Sequence, residues 1–314
     1  MKKFALIGAA GYIAPRHMSA IQNTRNNLVA AHDINDSVGI IDSYFPDAKF
    51  FTEFERFDRY LDKKRRSGDP IDYISICSPN YLHDSQIRFT IKSGADAICE
   101  KPLVLNPWNL DGLIELEKQF GNRVYTILQL RLHPAILELK SKVQESSSES
   151  KMDVELSYIT SRGNWYLQSW KGDEKKSGGI ATNIGIHFFD MLHFIFGELQ
   201  TNIVSLREER RACGFLEYKH ARVRWFLSID INDVPQTVRE SGQKTFRSIN
   251  VSGQELEFSG GFTDLHTKSY QEILNGHGFG LEENRSAIEA VSDIRTSSLR
   301  PNFEIHPFAA RKKI

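Results

Sequence analysis

The first thirteen residues do most to limit what this chain can fold into. Phe4-Ala5-Leu6-Ile7 is apolar at every position and runs directly into Gly8-Ala9-Ala10-Gly11-Tyr12-Ile13, after which an amphipathic segment extends from Ala14 to about Arg25. A strand, a glycine-bearing turn and a helix in immediate succession form the first half of a βαβ unit. In such a unit, backbone N–H groups at the helix N-terminus can approach a pyrophosphate. The alternation then continues. Leu28 to Ala31 reads as a strand ending at His32-Asp33, and Asp72 to Cys77 as another, closed by the turn Ser78-Pro79-Asn80. A helix from about His83 to Ser93 leads to the strand Ala97 to Cys99, and a further helix covers about Pro107 to Phe120. Strands that are apolar throughout, separated by helices, predict a parallel sheet covered on both faces.

From Val124 the pattern changes. A strand is expected over Val124 to Leu130, a helix over Pro134 to Val143, and an exposed loop in the Ser-rich tract Glu145 to Ser150. Longer strands with strict alternation follow. In Ala221 to Asp230, Ala221, Val223, Trp225, Leu227 and Ile229 share one face, and Arg222, Arg224, Ser228 and Asp230 the other. That is the half-buried antiparallel pattern. The expected class is therefore α/β, with an N-terminal doubly wound Rossmann domain (1–123) and a C-terminal α+β domain (124–314) built on a mostly antiparallel open sheet. The second would serve substrate binding and oligomerisation.

Charge narrows the partners. Forty Lys and Arg balance forty Asp and Glu, and no long basic stripe occurs, so a nucleic-acid partner is not expected. The basic cluster Lys63-Lys64-Arg65-Arg66 reads as a solvated helix end favoured by the helix dipole. Cys77, Cys99 and Cys213 are odd in number and lack C-x-x-C spacing, which favours reduced thiols and a cytoplasmic setting. No signal-peptide pattern follows Met1, and no run of about 18 apolar residues predicts a membrane span.

Measured against G-x-G-x-x-G the first turn is imperfect: Gly8 fits, Ala10 and Ile13 replace the other glycines, and Gly11 offers close approach one position later. Asp33 ends the second strand about twenty residues beyond the turn, where a carboxylate bonds an adenosine ribose. Its charge would repel a 2′-phosphate, and Ile34-Asn35-Asp36 supplies no Arg, so NAD is favoured over NADP.

Two features carry chemistry. In Glu100-Lys101-Pro102 the proline disfavours the α region for Lys101. The ammonium is thereby presented at the carboxyl end of a strand, where open α/β sheets bind ligands. Further on, Gly178-Gly179 introduces an almost wholly apolar helix over 180–197, in which Asn183, His187 and Asp190 fall at i, i+4 and i+7 on one face. An imidazole buried among polar partners suits a general base; a satisfied structural network is the alternative. No metal is expected, because no other His or Cys lies at zinc-like spacing.

These motifs, in this order, resemble the Gfo/Idh/MocA oxidoreductases: the turn at Gly8 to Ile13 with His17, Ser78-Pro79-Asn80 with His83, Glu100-Lys101-Pro102, and Gly178 to Asp190. Within the family, Gly8 to His17, Ile159 to Tyr166 and Ser169-Trp170-Lys171-Gly172 resemble the members that oxidise UDP-N-acetyl-2-amino-2-deoxyglucuronate for bacterial lipopolysaccharide and O-antigen synthesis. The resemblance implies NAD-dependent oxidation at carbon 3, with Lys101 and His187 as the proton-handling pair, either of them the base. The Asp common elsewhere in the family at position 183 is Asn here. Cofactor contacts would come from Gly8, Gly11, Tyr12, Ile13, Asp33, Ile34, Ser78, Asn80, His83, Glu100 and Lys101. Substrate contacts would come from Arg16, Lys101, Arg162, Asn164, Trp165, Tyr166, Lys171, Asn183 and His187, with Trp165 and Tyr166 either stacking on the ligand or packing in the core. The resemblance also implies possible recycling of NADH by 2-oxoglutarate and a homodimer or homotetramer formed on the open sheet, where Arg222 and Arg224 would need partners. A dehydrogenase of a free sugar or inositol is the alternative, and a non-catalytic NAD-binding regulator a third reading that has no use for Lys101 and His187. Asp264-Leu265-His266 and His277 either line the site or cap helices, and capping is the favoured reading.

Overall fold

The computed structural model describes residues 1–145, 150–256 and 264–310. They form two compact units, one drawn from Met1–Gln129 and Thr263–Arg285, the other from Leu130–Phe262 and Ser286–Ile314.

The first unit is a sheet of six parallel strands, β1 (Lys3–Ile7), β2 (Asn27–His32), β3 (Lys49–Phe51), β4 (Tyr73–Ile76), β5 (Asp96–Cys99) and β6 (Val124–Thr126), in the order β3-β2-β1-β4-β5-β6. Helices α1 (Ala14–Asn23), α2 (Phe54–Arg66), α3 (His83–Ser93) and α4 (Pro107–Phe120) connect them. The order reverses between β1 and β4, which is where such sheets open a ligand crevice. Strand β6 is shorter than the expected Val124 to Leu130. Its partner β5 stops at Cys99, so the ladder ends at Cys99 opposite Thr126, and the chain turns into a 3-10 segment over Gln129–Leu132. The basic end of α2 is a solvated helix terminus, with Arg65 and Arg66 on Asp62 and Lys64 on Asp69.

The sequence division at 123/124 does not anticipate one element. Helix Leu265–Leu274, from late in the chain, belongs to the first unit and packs against α1. Its Tyr270 and Ile273 join Phe4, Ala14, Met18 and Ile21 in one buried cluster. The hydrophobic face of α1 needs a cover that the first 129 residues do not provide.

The second unit holds strands β7 (Met152–Thr160), β8 (Leu199–Arg207), β9 (Arg211–Tyr218), β10 (Ala221–Ser228), β11 (Thr245–Val251) and β12 (Gln254–Glu255), ordered β12-β11-β7-β10-β9-β8 and antiparallel except for β7 with β10. One face is covered by the core helix Ile186–Phe196, whose Phe189 meets Trp225 edge-on and whose Phe188 meets Tyr158. The stretch Glu174–Phe196 is long and apolar enough to pass a length-and-composition test for a membrane span. Its burial against this sheet accounts for that apolarity. On the sheet, Arg222 lies near Glu217, and Arg224 pairs with Glu155 and Glu304. Of the Ser-rich tract, residues 146–149 lie outside the described residues.

Candidate active site

The carboxyl ends of β1, β2, β4 and β5 bring together most of the residues expected around a dinucleotide. Gly8 leaves β1 with φ +91°, and a Cβ there would fall 2.6 Å from Ser78 N and 2.7 Å from the Cys77 carbonyl carbon. Only glycine lets the two loops at the order reversal touch. A Cβ at Gly11 would meet Gly8 O at 3.1 Å and Cys77 O at 3.3 Å, so a side chain there would press on two backbone carbonyls. Asp33 ends β2 with its carboxylate spanning the turn: Oδ2 accepts the Ala10 N–H at 2.9 Å and Oδ1 the Asn35 N–H at 2.9 Å. Tyr12 and Ile34, 92% and 82% exposed, are large apolar side chains left in solvent beside this turn. Ile13 packs at the core edge instead, and Arg16 is exposed on α1. A turn in which Gly8 and Gly11 carry no Cβ, next to helix α1 and a ribose-type carboxylate, fits NAD.

Ser78 donates to Gln86 Oε1 at 2.5 Å, and Asn80 is buried in the turn after it. His83 has both ring nitrogens occupied by backbone carbonyls, Nδ1 at 2.7 Å from Pro102 O and Nε2 at 2.9 Å from Ser78 O. It therefore ties the β4 and β5 loops together rather than pointing a ring nitrogen outward. Burial pushes its pKa down, and a neutral ring donates to one carbonyl at a time.

Beyond β5, Lys101 is half-buried and joined to Pro102 by a cis peptide bond. Glu100, buried, has turned inward. Its Oε1 receives Nε2 of His17 at 3.1 Å and Nε2 of His266 at 3.0 Å. Burial would raise the Glu100 carboxyl, but hydrogen bonds from the two imidazoles outweigh it and hold the group well below the usual range. The chain of contacts goes on from His17 Nδ1 to Tyr270 Oη at 2.8 Å, and from there to Ser75 Oγ at 2.6 Å. His266 thus sits inside the first unit rather than capping its helix, and Asp264 makes no side-chain cap either. His277 is an exposed neighbour of Glu272. His17, Glu100 and His266 also place three ligand-type atoms within 4.8 Å of one another, a set invisible to sequence spacing because its members are 83 and 166 residues apart.

In the second unit the expected polar stripe divides. Residues Ala181–Gly185 form a π-helical turn, and the regular helix starts only at Ile186. Asn183 lies in the π-turn and donates to Tyr166 Oη at 2.5 Å. His187 follows in the first turn of the helix, half-buried. Asp190 takes a different partner: both its oxygens accept from Arg131, Oδ2 from Nε at 3.1 Å and Oδ1 from Nη2 at 2.7 Å. It is a structural anchor, not the third member of a catalytic face. In the loop before the helix, Tyr166 is buried, while Trp165 is exposed and Arg162 and Asn164 lie on the surface. Lys171 sets its ammonium 5.3 Å from the Trp165 ring centre and 4.4 Å from that of Trp170. Burial lowers its pKa, with the nearby Arg162 charge adding to the effect. Lys171, Tyr166 and Gly178 to Ala181 help line a cavity of about 290 Å³.

A parallel sheet in this order, a glycine-bearing turn at its reversal point and a carboxylate at the end of β2 mark a dinucleotide-binding domain. The chain belongs to the Gfo/Idh/MocA oxidoreductase family: residues 2–127 match its NAD-binding Rossmann domain, and residues 151–245 its C-terminal alpha/beta domain. It is similar to a WlbA (WbpB) dehydrogenase from Thermus thermophilus, solved in complex with NAD and alpha-ketoglutarate and also with NAD and UDP-GlcNAcA. The two are 51% identical, with 98% of this chain and 100% of that chain covered and a TM-score of 0.94. The WlbA dehydrogenase from Bordetella pertussis, 17% identical over 94% of this chain and 96% of that one, shares the fold at a TM-score of 0.76. The glucose-6-phosphate 3-dehydrogenase of Bacillus subtilis is 23% identical over 62% of this chain, a stretch that spans 54% of the relative's own length.

Proposed function

We propose that the protein oxidises the carbon-3 hydroxyl of UDP-N-acetyl-2-amino-2-deoxyglucuronate to the 3-keto sugar, with NAD as cofactor, in bacterial surface-polysaccharide synthesis. The observation that carries this reading is the likeness, at 51% identity over nearly the whole chain, to an enzyme crystallised with NAD and UDP-GlcNAcA. The retained pair Lys101 and His187 supports a catalytic rather than a merely binding role, since a regulator needs neither proton-handling group.

Gly8, Gly11 and the turn between them hold the pyrophosphate of NAD, and Asp33 the adenosine ribose. NAD, when bound, supplies the hydride acceptor. The protein's own part is the proton and the oxygen: one of His187 and Lys101 removes the hydroxyl proton, and the other donates a hydrogen bond to the oxygen as negative charge develops. Asn183 cannot act as a base; held by Tyr166, it orients the sugar. Arg16, Arg162 and Lys171 supply positive charge for the diphosphate and carboxylate, and the exposed Trp165 offers an aromatic face. Recycling of NADH by 2-oxoglutarate belongs to the same proposal, supported by the alpha-ketoglutarate bound to the similar enzyme. So do a cytoplasmic location and a homo-oligomer.

The test is incubation with UDP-N-acetylglucosaminuronate and NAD, with and without 2-oxoglutarate, following the 3-keto product by mass spectrometry. Product is expected, and His187→Asn and Lys101→Met should each lower kcat by about 10²–10⁴-fold while NAD still binds. Turnover of a free polyol in place of the nucleotide sugar would overturn the substrate assignment.

A further inference from the structure

We propose that His266 and Tyr270, on the helix that returns to the first unit from late in the chain, are positioning residues for Lys101, acting through the buried carboxylate of Glu100. The inference rests on the reading of Lys101 as a reacting group. It concerns residues more than 160 positions away from Lys101.

The hydrogen-bond inventory fixes the direction of the network. An ionised carboxylate only accepts, so both imidazoles present Nε2–H to Glu100 Oε1. His17, kept neutral by burial, then carries its lone pair on Nδ1. Tyr270 must donate there, and its oxygen in turn accepts from Ser75. With Oε1 held by two donors, the other oxygen is turned back to the main chain, where the Lys101 N–H donates to Oε2 at 3.3 Å. On the far side of Lys101, His83 holds the Pro102 carbonyl. The lysine turn is thus gripped before and after by side chains anchored on α1, α3 and the returning helix. Lys101 is half-exposed, yet the carboxylate beside it is buried. A buried anion with two imidazole donors is more than a surface turn requires; it is what fixing the aim of one side chain requires.

The titratable groups facing Glu100 are His17, His83, His266, Tyr270, Cys77 and Cys99. Burial keeps the phenol and both thiols protonated well above neutral pH, so the carboxylate's ionisation depends on the imidazole donors. Removing one of them raises its pKa.

The test compares His266→Leu, His266→Gln and Tyr270→Phe in the full-length protein. His266→Leu should lower kcat by about 10²-fold, the size of effect produced by a misplacement on the order of 1 Å, with NAD affinity unchanged. It should also move the acidic limb of the activity profile to higher pH than in the native enzyme, as the Glu100 carboxylate protonates more readily. His266→Gln, which keeps an N–H near the Nε2 position, should restore most of kcat and return the acidic limb to its native position. Tyr270→Phe should act in the same direction as His266→Leu but more weakly, and it decides the matter should the leucine variant fail to fold. A second readout needs no substrate: competitive labelling of amines, with the Lys101 peptide followed by mass spectrometry. Lys101 reactivity should change with pH differently in His266→Leu and as in the native protein in His266→Gln, so labelling decides the proposal even if the substrate assignment fails. Native-like labelling and pH profiles in His266→Leu would overturn it. So would equal impairment of the leucine and glutamine variants, or one equivalent of zinc in the native protein that is lost in His266→Leu.

Discussion

Replacing Arg131 by Met isolates the Asp190 carboxylate inside the second unit. In the native fold that carboxylate receives two charge-assisted hydrogen bonds, at 3.1 and 2.7 Å, and both side chains are almost fully buried. Methionine keeps much of the stem volume but supplies no donor. Breaking a buried pair on one side costs about 3–5 kcal/mol, because the remaining charge has neither water nor a partner. For a domain of roughly 150–250 residues, where 1 kcal/mol moves the midpoint by about 2–4 °C, the expected drop in Tm is about 6–20 °C. Urea unfolding monitored by tryptophan fluorescence reads the change, since Trp225 is fully buried in the same unit. The pH dependence provides a second check. Burial already raises the Asp190 pKa against the lowering effect of Arg131, so losing Arg131 raises it further. An acid with a raised folded pKa binds more protons folded than unfolded, and its contribution to stability falls as pH rises through that window. The deficit of Arg131→Met should therefore be smaller at pH 5 than at pH 8. The double variant Arg131→Met/Asp190→Leu, which removes both charges, should recover most of the loss. A single variant that loses less than about 1 kcal/mol, or a double variant no better than the single, would refute the reasoning.

Three further outcomes follow from the site geometry. Gly8→Ala places a Cβ 2.6 Å from Ser78 N in a left-handed backbone. It should cost at least about 1–2 kcal/mol from the backbone alone and weaken NAD binding measured by calorimetry. Asp33→Ser should narrow the preference for NAD over NADP, read as the ratio of kcat/KM values, because the charge that repels a 2′-phosphate is gone. Tyr166→Phe removes the oxygen that accepts from Asn183; it should cost about 1 kcal/mol in stability and lower kcat/KM for the sugar while leaving NAD affinity intact.

The doubly wound sheet, its glycine turn and the alternating strands of the second sheet were legible in the sequence because each is written in local periodicity. Phe4 to Ile7, Tyr73 to Ile76 and Ala221 to Ser228 carry their strand patterns within a few residues. What escaped depends on contacts between distant positions. Asp190 stands at helical spacing from His187 and reads as its neighbour, but Arg131 lies 59 residues away and claims it. The π-turn at Ala181–Gly185 shifts the helical register without any signal in an apolar run. His266 looks like an ordinary residue near a helix start, and only the return of its helix to α1 brings it to Glu100. The lone hint was the oddity of Glu100 itself, a carboxylate directly after the apolar run Ala97 to Cys99.

That return also bears on the order in which the chain can be completed as it leaves the ribosome. The β1–α1 layer emerges first, yet Tyr270 and Ile273, which close its cluster, and His266, which meets Glu100, are synthesised only after most of the second sheet. Until then Met18, Ile21 and the neighbouring apolar face lack their cover. A nascent or truncated product ending near residue 129 would therefore present that face to chaperones and proteases, and cofactor affinity would be acquired late in translation rather than as soon as the glycine turn appears.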